Sequence, residues 1–525
     1  MSAGGEKGGG EEGGGEERGR EGGREAGTEP WRARLEEEER RVEEGGGRAR
    51  QARQARLGRG TAIGRIEALV DPGSFVELAR HVKHRFAAQS DVLASNRPPG
   101  DGLRAGFARV AGRPVAVYAH DPTVLRGALG HAASRKLVRL LDAALARDLP
   151  VLSLVDCDGV RVDEGTFAVD AYGEVIDRTI RLRARGLQLT LVCGLGVGAA
   201  AYQAALTDLV GMVEGQSFLF ITGAKLTRVM TGQEVGLEEL GGPAMHASTT
   251  GACHAVLEDE AAGVAWLRRA LALLTDARVD TGDAPGRPTP EVGAIVPTDP
   301  RRGYDARKVL EALTDRGTLL ELGAPFARNL LTAFGRLGGR AVAFLASQPQ
   351  HRAGCLDVDA SRKGSAFVRL ASKRGLPLVT LCDVPGYWPG KEQEQGGILP
   401  FGAELLDAYG RCRSPRLAVL LRKSYGGANV LSYAADYRLA LPTAQVAPMG
   451  VDAAERLAMP PLGEDAGDAE RAVHDAERER FRARWLALHG DVWAAAHEGY
   501  VDRVVPPEAL RASLCEALVA LEGEP

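Results

Sequence analysis

The string Ala133-Ser134-Arg135-Lys136 returns as Ala360-Ser361-Arg362-Lys363, an offset of 227 (360 − 133). The same offset relates Leu149-Pro150 to Leu376-Pro377, Asp156 to Asp383, Gly159 to Gly386 and Gly112-Arg113 to Gly339-Arg340. A segment written twice carries the same apolar periodicity twice, so the two copies must fold as like units. In the first copy, alternating strands at 106–110 and 115–119 flank a turn. A helix over 132–147, a buried strand over 151–155, a loop, a helix over 171–185 and a strand over 189–193 follow. The second repeats the order: hairpin 332–344, helix 360–373, strand 378–383, loop, helix 402–411, strand 417–421. Strand–helix alternation of this kind predicts α/β layering.

The remaining features set the frame. A net charge of −4 over 525 residues gives no reason to expect nucleic acid or a membrane surface as partner. Apolar runs are of strand length, far short of a bilayer span. The amino terminus is Gly/Glu-rich rather than basic then apolar, so no secretory signal and a cytoplasmic location are expected. The seven cysteines are scattered and lack any CxxC, which reads as reduced thiols with no metal site. Residues 1–30 form a Gly/Glu/Arg segment expected to be disordered. A Glu/Arg-rich helical stretch interrupted by Gly45-Gly46-Gly47 comes next, and regular structure is expected in earnest near Ile63. Residues 31–275 and 302–525 are the expected domains, joined by a linker over 276–301 that holds five prolines.

Two small-residue turns carry the chemistry. After the strand at 189–193 comes Gly194-Leu195-Gly196-Val197-Gly198-Ala199-Ala200, and after 417–421 comes Arg422-Lys423-Ser424-Tyr425-Gly426-Gly427-Ala428. Small residues let a ligand approach the amides at a helix start, where the dipole favours negative charge. At an offset of 229, Gly198-Ala199 aligns with Gly427-Ala428, placing the same N–H device twice. A competing reading takes Gly194-x-Gly196-x-Gly198 as a dinucleotide fingerprint with Glu214 as its ribose-binding acid; the spacing is GxGxG rather than GxGxxG. No nucleophile–base pair accompanies either turn: the histidines are dispersed, Ser424 lacks a GxSxG setting, and His131 and His246 read as ordinary surface or hydrogen-bonding residues.

At these loops the chain resembles the carboxyltransferase (β) subunits of biotin-dependent acyl-CoA carboxylases. The matching pieces are RIEALVDPGSFVEL (65–78), DCDGVRVDEG (156–165), FITGAKLTRVMTGQEVGLEELGG (220–242), LDVDASRKGSAFVR (356–369), DVPGYWPGKEQEQGGI (383–398), RKSYGGA (422–428) and HEGYVDRVVPPE (497–508). The resemblance implies two tandem crotonase-like spiral domains related by internal duplication. It implies a trimer of dimers in which the first domain of one subunit faces the second domain of its neighbour. Acyl-CoA would lie on the first domain and biotin, delivered by a separate carrier or biotin carboxylase subunit, on the second. The Gly198 and Ala199 amides would then hold the enolate oxygen of the thioester, and those of Gly427 and Ala428 the ureido oxygen of biotin. Carboxybiotin would release CO₂ and its ureido nitrogen take the α-proton. Gly159 and Arg161 fall in the CoA-side loop, and Asn429 and Val430 stand where such proteins select the acyl chain.

Some positions depart from the pattern. Asp158 stands where glycine is usual, Ala199 replaces a second glycine, His131 replaces a common glutamate, and the segment after Ala428 is shortened. The reading is a carboxyltransferase; the alternatives are a decarboxylase running the reverse half-reaction and a non-catalytic paralogue that scaffolds a carboxylase complex.

Overall fold

The computed structural model describes residues 29–95, 97–463 and 465–522. The tail expected over 1–30 lies outside them except for Glu29 and Pro30, which open the helix Glu29–Glu44. Regular structure therefore starts well before Ile63. Val42 is buried, Glu38 pairs with Lys83 and Glu39 with Arg80 at 2.7 Å, and the Gly46 amide donates to Thr123 Oγ1 at 3.0 Å. These partners lie far along the chain, so a stretch that reads locally as a solvated charged helix is docked by distant contacts.

Each half contributes one eight-stranded sheet. The first holds β1 (Val76–Glu77), β2 (Leu103–Val110), β3 (Arg113–His120), β4 (Val151–Cys157), β5 (Gln188–Val197), β6 (Leu209–Val213), β7 (Phe218–Phe220) and β8 (Ala255–Leu257). The second holds β9 (Leu320–Leu322), β10 (Leu330–Leu337), β11 (Arg340–Ser347), β12 (Leu378–Val384), β13 (Arg416–Tyr425), β14 (Tyr437–Ala440), β15 (Gln445–Ala447) and β16 (Arg503–Val504). In the first, β1, β2 and β3 are antiparallel and β3-β4-β5-β6-β8 run parallel, with β7 off β5. The second repeats this as β9-β10-β11 antiparallel, then β11-β12-β13-β14-β16 parallel, with β15 off β13. Parallel neighbours require crossovers, and helices such as His131–Arg147 bury Leu137, Leu140 and Leu141 against the sheet. One apolar cluster runs through both halves, from Leu152, Leu189 and Leu267 to Phe334, Leu345 and Val384. The segment 276–301, expected as a linker, carries the helix Glu291–Ile295, and its Val279 amide donates to Gly339 O at 2.9 Å.

The repeated string that exposes the duplication is structural. Lys136 Nζ donates to Leu103 O at 2.7 Å and pairs with Glu77 at 3.0 Å. Its counterpart Lys363 donates to the carbonyls of Gly323, Phe326 and Leu330, each at 2.8 Å. Leu103 and Leu330 stand at the same 227 offset, so each lysine closes the same strand start onto its helix.

A second repeated feature positions both small-residue turns. Between β4 and β5 the register jumps from Val155↔Val192 to Cys157↔Gly196, and between β12 and β13 from Cys382↔Leu420 to Val384↔Ser424. The intervening residue on the shorter side is Asp156 or Asp383, and both are buried. Asp156 accepts the Leu195 amide at 3.1 Å and pairs with Arg65 at 3.2 Å; Asp383 accepts the Lys423 amide at 3.2 Å and Arg422 Nε at 2.8 Å. Extra residues in a ladder leave amides without partners, and here a carboxylate takes one up. The cation comes from different places. Arg422 lies on β13 itself, whereas at the equivalent position β5 has Gly194, where a Cβ would lie 2.1 Å from Asp156 Oδ1. Arg65, on the helix Ala62–Leu69, stands in, held from the other side by Glu260 at 2.7 Å.

Removing one member of a buried pair leaves an uncompensated charge, so Asp383→Ala is expected to lower unfolding free energy by about 3–5 kcal/mol. Urea unfolding checks this, and an unchanged transition would refute the brace. A second expectation concerns pH. His254 Nδ1 accepts the Val210 amide at 3.0 Å, and its carbonyl accepts the amide of Gly323 from the other half at 2.7 Å. Burial, then the Lys363 charge, push this histidine down to about 4, below the ordinary value near 6.5. Between those values the unfolded chain binds the extra proton, so stability is lost as pH falls through that window. His254→Gln removes this titration and should flatten the dependence of the urea midpoint between pH 7 and 4.5 relative to wild type.

Candidate active site

The expected turn over 194–200 is shorter in the structure. Gly194, Leu195, Gly196 and Val197 continue β5 across the Asp156 brace, and the chain turns at Gly198 alone (φ 58°, ψ −118°). A left-handed conformation suits glycine, and the helix Ala199–Ala205 starts immediately after it. The Gly198 amide, expected as one of the two donors at this turn, is instead taken by Phe220 O at 3.0 Å, because the β5–β7 ladder runs on into it. The amides of Ala199 and Ala200 belong to the first helical turn, which has no internal acceptors for them, whereas that of Ala201 already donates to Gly198 O at 3.1 Å. With Gly194 and Gly196 inside a strand, no dinucleotide-type loop forms around Glu214.

The second turn repeats this geometry. β13 runs to Tyr425, Gly426 turns at φ 59°, and a 3-10 turn spans Gly426–Asn429. The left-handed glycines are thus Gly198 and Gly426, an offset of 228, which is also the offset of the strand starts Gln188 and Arg416. The alignment at 229 is corrected by one residue: Ala199 corresponds to Gly427, and Ala428 to Ala200. Burial follows the same pairing. Gly198 and Ala199 are half-buried and Gly427 is exposed, while Ala200 and Ala428 are buried. Successive small residues hide a slip of one in the sequence, whereas a positive φ reveals it.

The loops after β4 and β12 flank the turns. Gly159 (φ 87°) packs so closely on the end of β5 that a Cβ there would lie 3.0 Å from Val197 O. Arg161 sits near it, but its guanidinium is buried and engaged by Asp101 and Glu164, each at 2.7 Å, and by Ala128 O at 2.9 Å. This geometry braces the loop after β4, and Arg161, expected there as a CoA-binding residue, has no face left for a phosphate. Asp158, the unusual carboxylate, pairs with the exposed Arg126 at 3.0 Å, and burial raises its carboxyl above the ordinary range. In the second half the Tyr387 ring lies 3.8 Å from where a Gly427 Cβ would stand, so the exposed Gly427 backbone has an aromatic wall and otherwise open space.

Asn429 turns inward. Its amide nitrogen donates to Tyr500 Oη at 2.5 Å, and its carbonyl oxygen accepts from Ser424 and Ser432. Ser424 is therefore part of a hydrogen-bonded knot beneath the turn. Val430 follows at the start of the helix Val430–Tyr433, half-buried. His131 donates its backbone amide to Glu164 and sets its ring edge-on to Phe86, and His246 bonds Thr250 and Leu219 O. The sequence pattern did not single out Arg65, Tyr387 or Tyr500 individually, although all three lie in quoted motifs. No cluster of three or more metal-ligating side chains occurs among the described residues, and no helix among them is long and apolar enough to cross a membrane.

Comparison with known proteins places this arrangement. The carboxyl transferase domain family matches residues 53–525. The propionyl-CoA carboxylase beta chain of Saccharopolyspora erythraea is 37% identical over 489 residues, covering 89% of this chain and 88% of that one. The biotin-dependent acetyl-/propionyl-coenzyme A carboxylase beta5 subunit of Mycobacterium tuberculosis is 37% identical over 483 residues, covering 89% and 87%. Transcarboxylase 12S, a hexamer solved with methylmalonyl-coenzyme A and methylmalonic acid bound, superposes with a TM-score of 0.88 at 33% identity, covering 95% of this chain and 97% of that one. Both sheets and their order thus belong to the two-domain crotonase-like fold. A duplicated braced turn, matched over nearly its whole length by such relatives, makes this chain a member of the carboxyl transferase domain family, an acyl-CoA carboxyltransferase of the propionyl-/acetyl-CoA carboxylase beta chain type.

Proposed function

We propose that this chain is the subunit that passes a carboxyl group between biotin, borne on a separate carrier chain, and the α-carbon of an acyl-CoA. The duplicated turn carries the reading: Gly198 and Gly426, at φ 58° and 59°, each present small residues and amides at a strand end. Moving a carboxyl group between a thioester enolate and a cyclic urea develops negative charge on two separate oxygens. Two preorganised N–H sites answer that need, and one such donor contributes roughly 3–4 kcal/mol to the transition state. We assign residues 31–275, with the Ala199 amide, the Gly198 turn that presents it and the Gly159 loop, to the acyl-CoA, and residues 302–525, with Gly427 and Ala428, to biotin.

The second turn fits a flat urea ring. Gly427 is open apart from the Tyr387 ring, and the Asn429–Tyr500–Ser432 knot holds the turn from below. Biotin supplies, when bound, the carboxyl group and a ureido nitrogen able to take the α-proton. Gly427 and Ala428 would hold its carbonyl, and the half-buried Val430 borders the same turn. On the acyl side the Ala199 amide orients the thioester oxygen, while Arg126 neutralises Asp158 beside it, so the extra carboxylate does not repel an anionic acyl group. The partners follow: an acyl-CoA, a biotin carboxylase and carrier subunit, and like copies in a trimer of dimers, in the cytoplasm.

Proline is tolerated at the first position of a helix but has no N–H. Ala199→Pro should therefore keep the fold and assembly while kcat drops about 10²–10³-fold, the cost of one such donor. Gly427→Pro tests the second turn in the same way. Wild-type rates in either variant would dismiss that turn. The substrate is tested by following biotin-dependent loss of the carboxyl group from malonyl-CoA and methylmalonyl-CoA. Turnover with at least one is expected, and silence across a broad acyl panel by an intact oligomer would favour a scaffold.

A further inference from the structure

Away from both turns, a groove of about 1160 Å³ opens between the two halves. Its walls come from the helix Thr166–Arg185 and the start of β6 on one side, and from the helices Val358–Lys373 and Ile398–Arg411 on the other. Arg183, Arg362, Lys363, Arg369, Lys373, Arg411 and Arg413 line it, against two acids, Asp208 and Glu404. The whole chain is net acidic at −4, so this concentration of cations is a local feature. Four of the seven have a structural reason: Lys363 is spent on the carbonyls of Gly323, Phe326 and Leu330, and Arg183, Lys373 and Arg411 stand in the last turns of their helices, where positive charge complements the dipole. Arg362, Arg369 and Arg413 stand outside these roles, Arg362 pairing among the described residues only with the half-exposed Asp359 at 3.4 Å. Arg413 is exposed and makes no side-chain hydrogen bond or ion pair among the described residues, and Arg369 reaches Glu404 only at 3.6 Å. Arg362 lies over the Phe401 ring at 5.6 Å, forming a planar cationic and aromatic platform at one end of the groove.

Clustered guanidinium groups repel one another unless an anion joins them, and their fork geometry matches phosphate oxygens. A flat aromatic with an arginine beside it suits a heterocyclic base. The volume exceeds that of most small-ligand pockets, which run from about 300 to 1,000 Å³. We propose that this groove binds a nucleoside polyphosphate, its phosphates on Arg369 and Arg413 and its base on the Arg362–Phe401 platform. The site is separate from the carboxyl-transfer turns: it opens at the carboxy-terminal ends of the helices and the start of β6, whereas Gly198 lies at the opposite, carboxy-terminal end of β5. One route couples them. Lys373 bridges to Asp208, whose other oxygen accepts the Gln188 amide at 2.9 Å at the head of the strand that leads into Gly198.

The test is calorimetric titration of the full chain, in its native assembly, with ATP and separately with inorganic pyrophosphate. ATP should bind, and pyrophosphate more weakly. Arg369→Gln/Arg413→Gln should weaken ATP about tenfold or more, while Arg503→Gln, at an exposed pair elsewhere, should not. Phe401→Leu should weaken ATP and leave pyrophosphate unchanged. ATP affinity should persist in saturating acyl-CoA. The proposal is overturned if the intact assembly binds no ATP, if the double variant binds as wild type with its oligomer intact, if pyrophosphate equals ATP, or if acyl-CoA displaces ATP, which would return that binding to the established substrate.

Discussion

The structure hangs on a carboxylate buried beneath a strand bulge, used once in each half. Asp156 and Asp383 each sit where one strand skips residues relative to its neighbour, and each accepts a bulge amide that would otherwise be orphaned. A buried carboxylate is costly alone, so each has an arginine: Arg65 for the first, Arg422 for the second. Because an amide must meet a fixed oxygen, only one register of the bulge satisfies both, and that register decides which residue arrives at the left-handed turn. The position of Gly198 and Gly426, and therefore of every amide after them, is a consequence of this brace.

The two halves have kept the brace and changed its surroundings. Where β13 supplies its own cation in Arg422, the first half has Gly194 and brings Arg65 from another helix, tied to Glu260. Arg422 also gathers the carbonyls of Asp299 and Arg302, strapping the preceding segment to the second sheet. The first turn is backed by alanines and a close glycine contact at Val197, the second by a polar knot of Ser424, Asn429, Ser432 and Tyr500. A narrow apolar-backed turn and an open one walled by Tyr387 differ in what each can admit, which is why we assign the first to a thioester and the second to a flat urea. Duplication followed by local divergence thus explains how one fold unit could serve two halves of one reaction.

Much of this was legible in the residues. The strand and helix order of both copies followed from apolar periodicity, and the helices expected over 132–147 and 360–373 are His131–Arg147 and Val358–Lys373 in the structure. What escaped was everything that depended on a partner distant in the chain. The helix Glu29–Glu44 has a solvated composition, yet it is docked through Lys83, Arg80 and Thr123. Arg161 carries the charge a phosphate would want, but Asp101, sixty residues earlier, holds it. Gly194 and Gly196 have turn chemistry and lie in a strand because Asp156 stands under them.

By itself the sequence determined that one α/β unit occurs twice, that each ends in a small-residue turn, and that the motifs along both halves are those of a carboxyltransferase. These are properties of local composition and order, which survive without knowing where any atom lies. The tertiary structure decided the register of the turns, 228 rather than 229, and hence that Gly427 stands where Ala199 does. It also decided which charged side chains brace the fold, as Arg65, Arg161 and Arg422 do, and which, as Arg413, make no ion pair among the described residues and line a groove between the halves. Both outcomes rest on desolvation: a charge taken out of water must find its opposite, and only the folded chain brings residues 91 or 195 positions apart together.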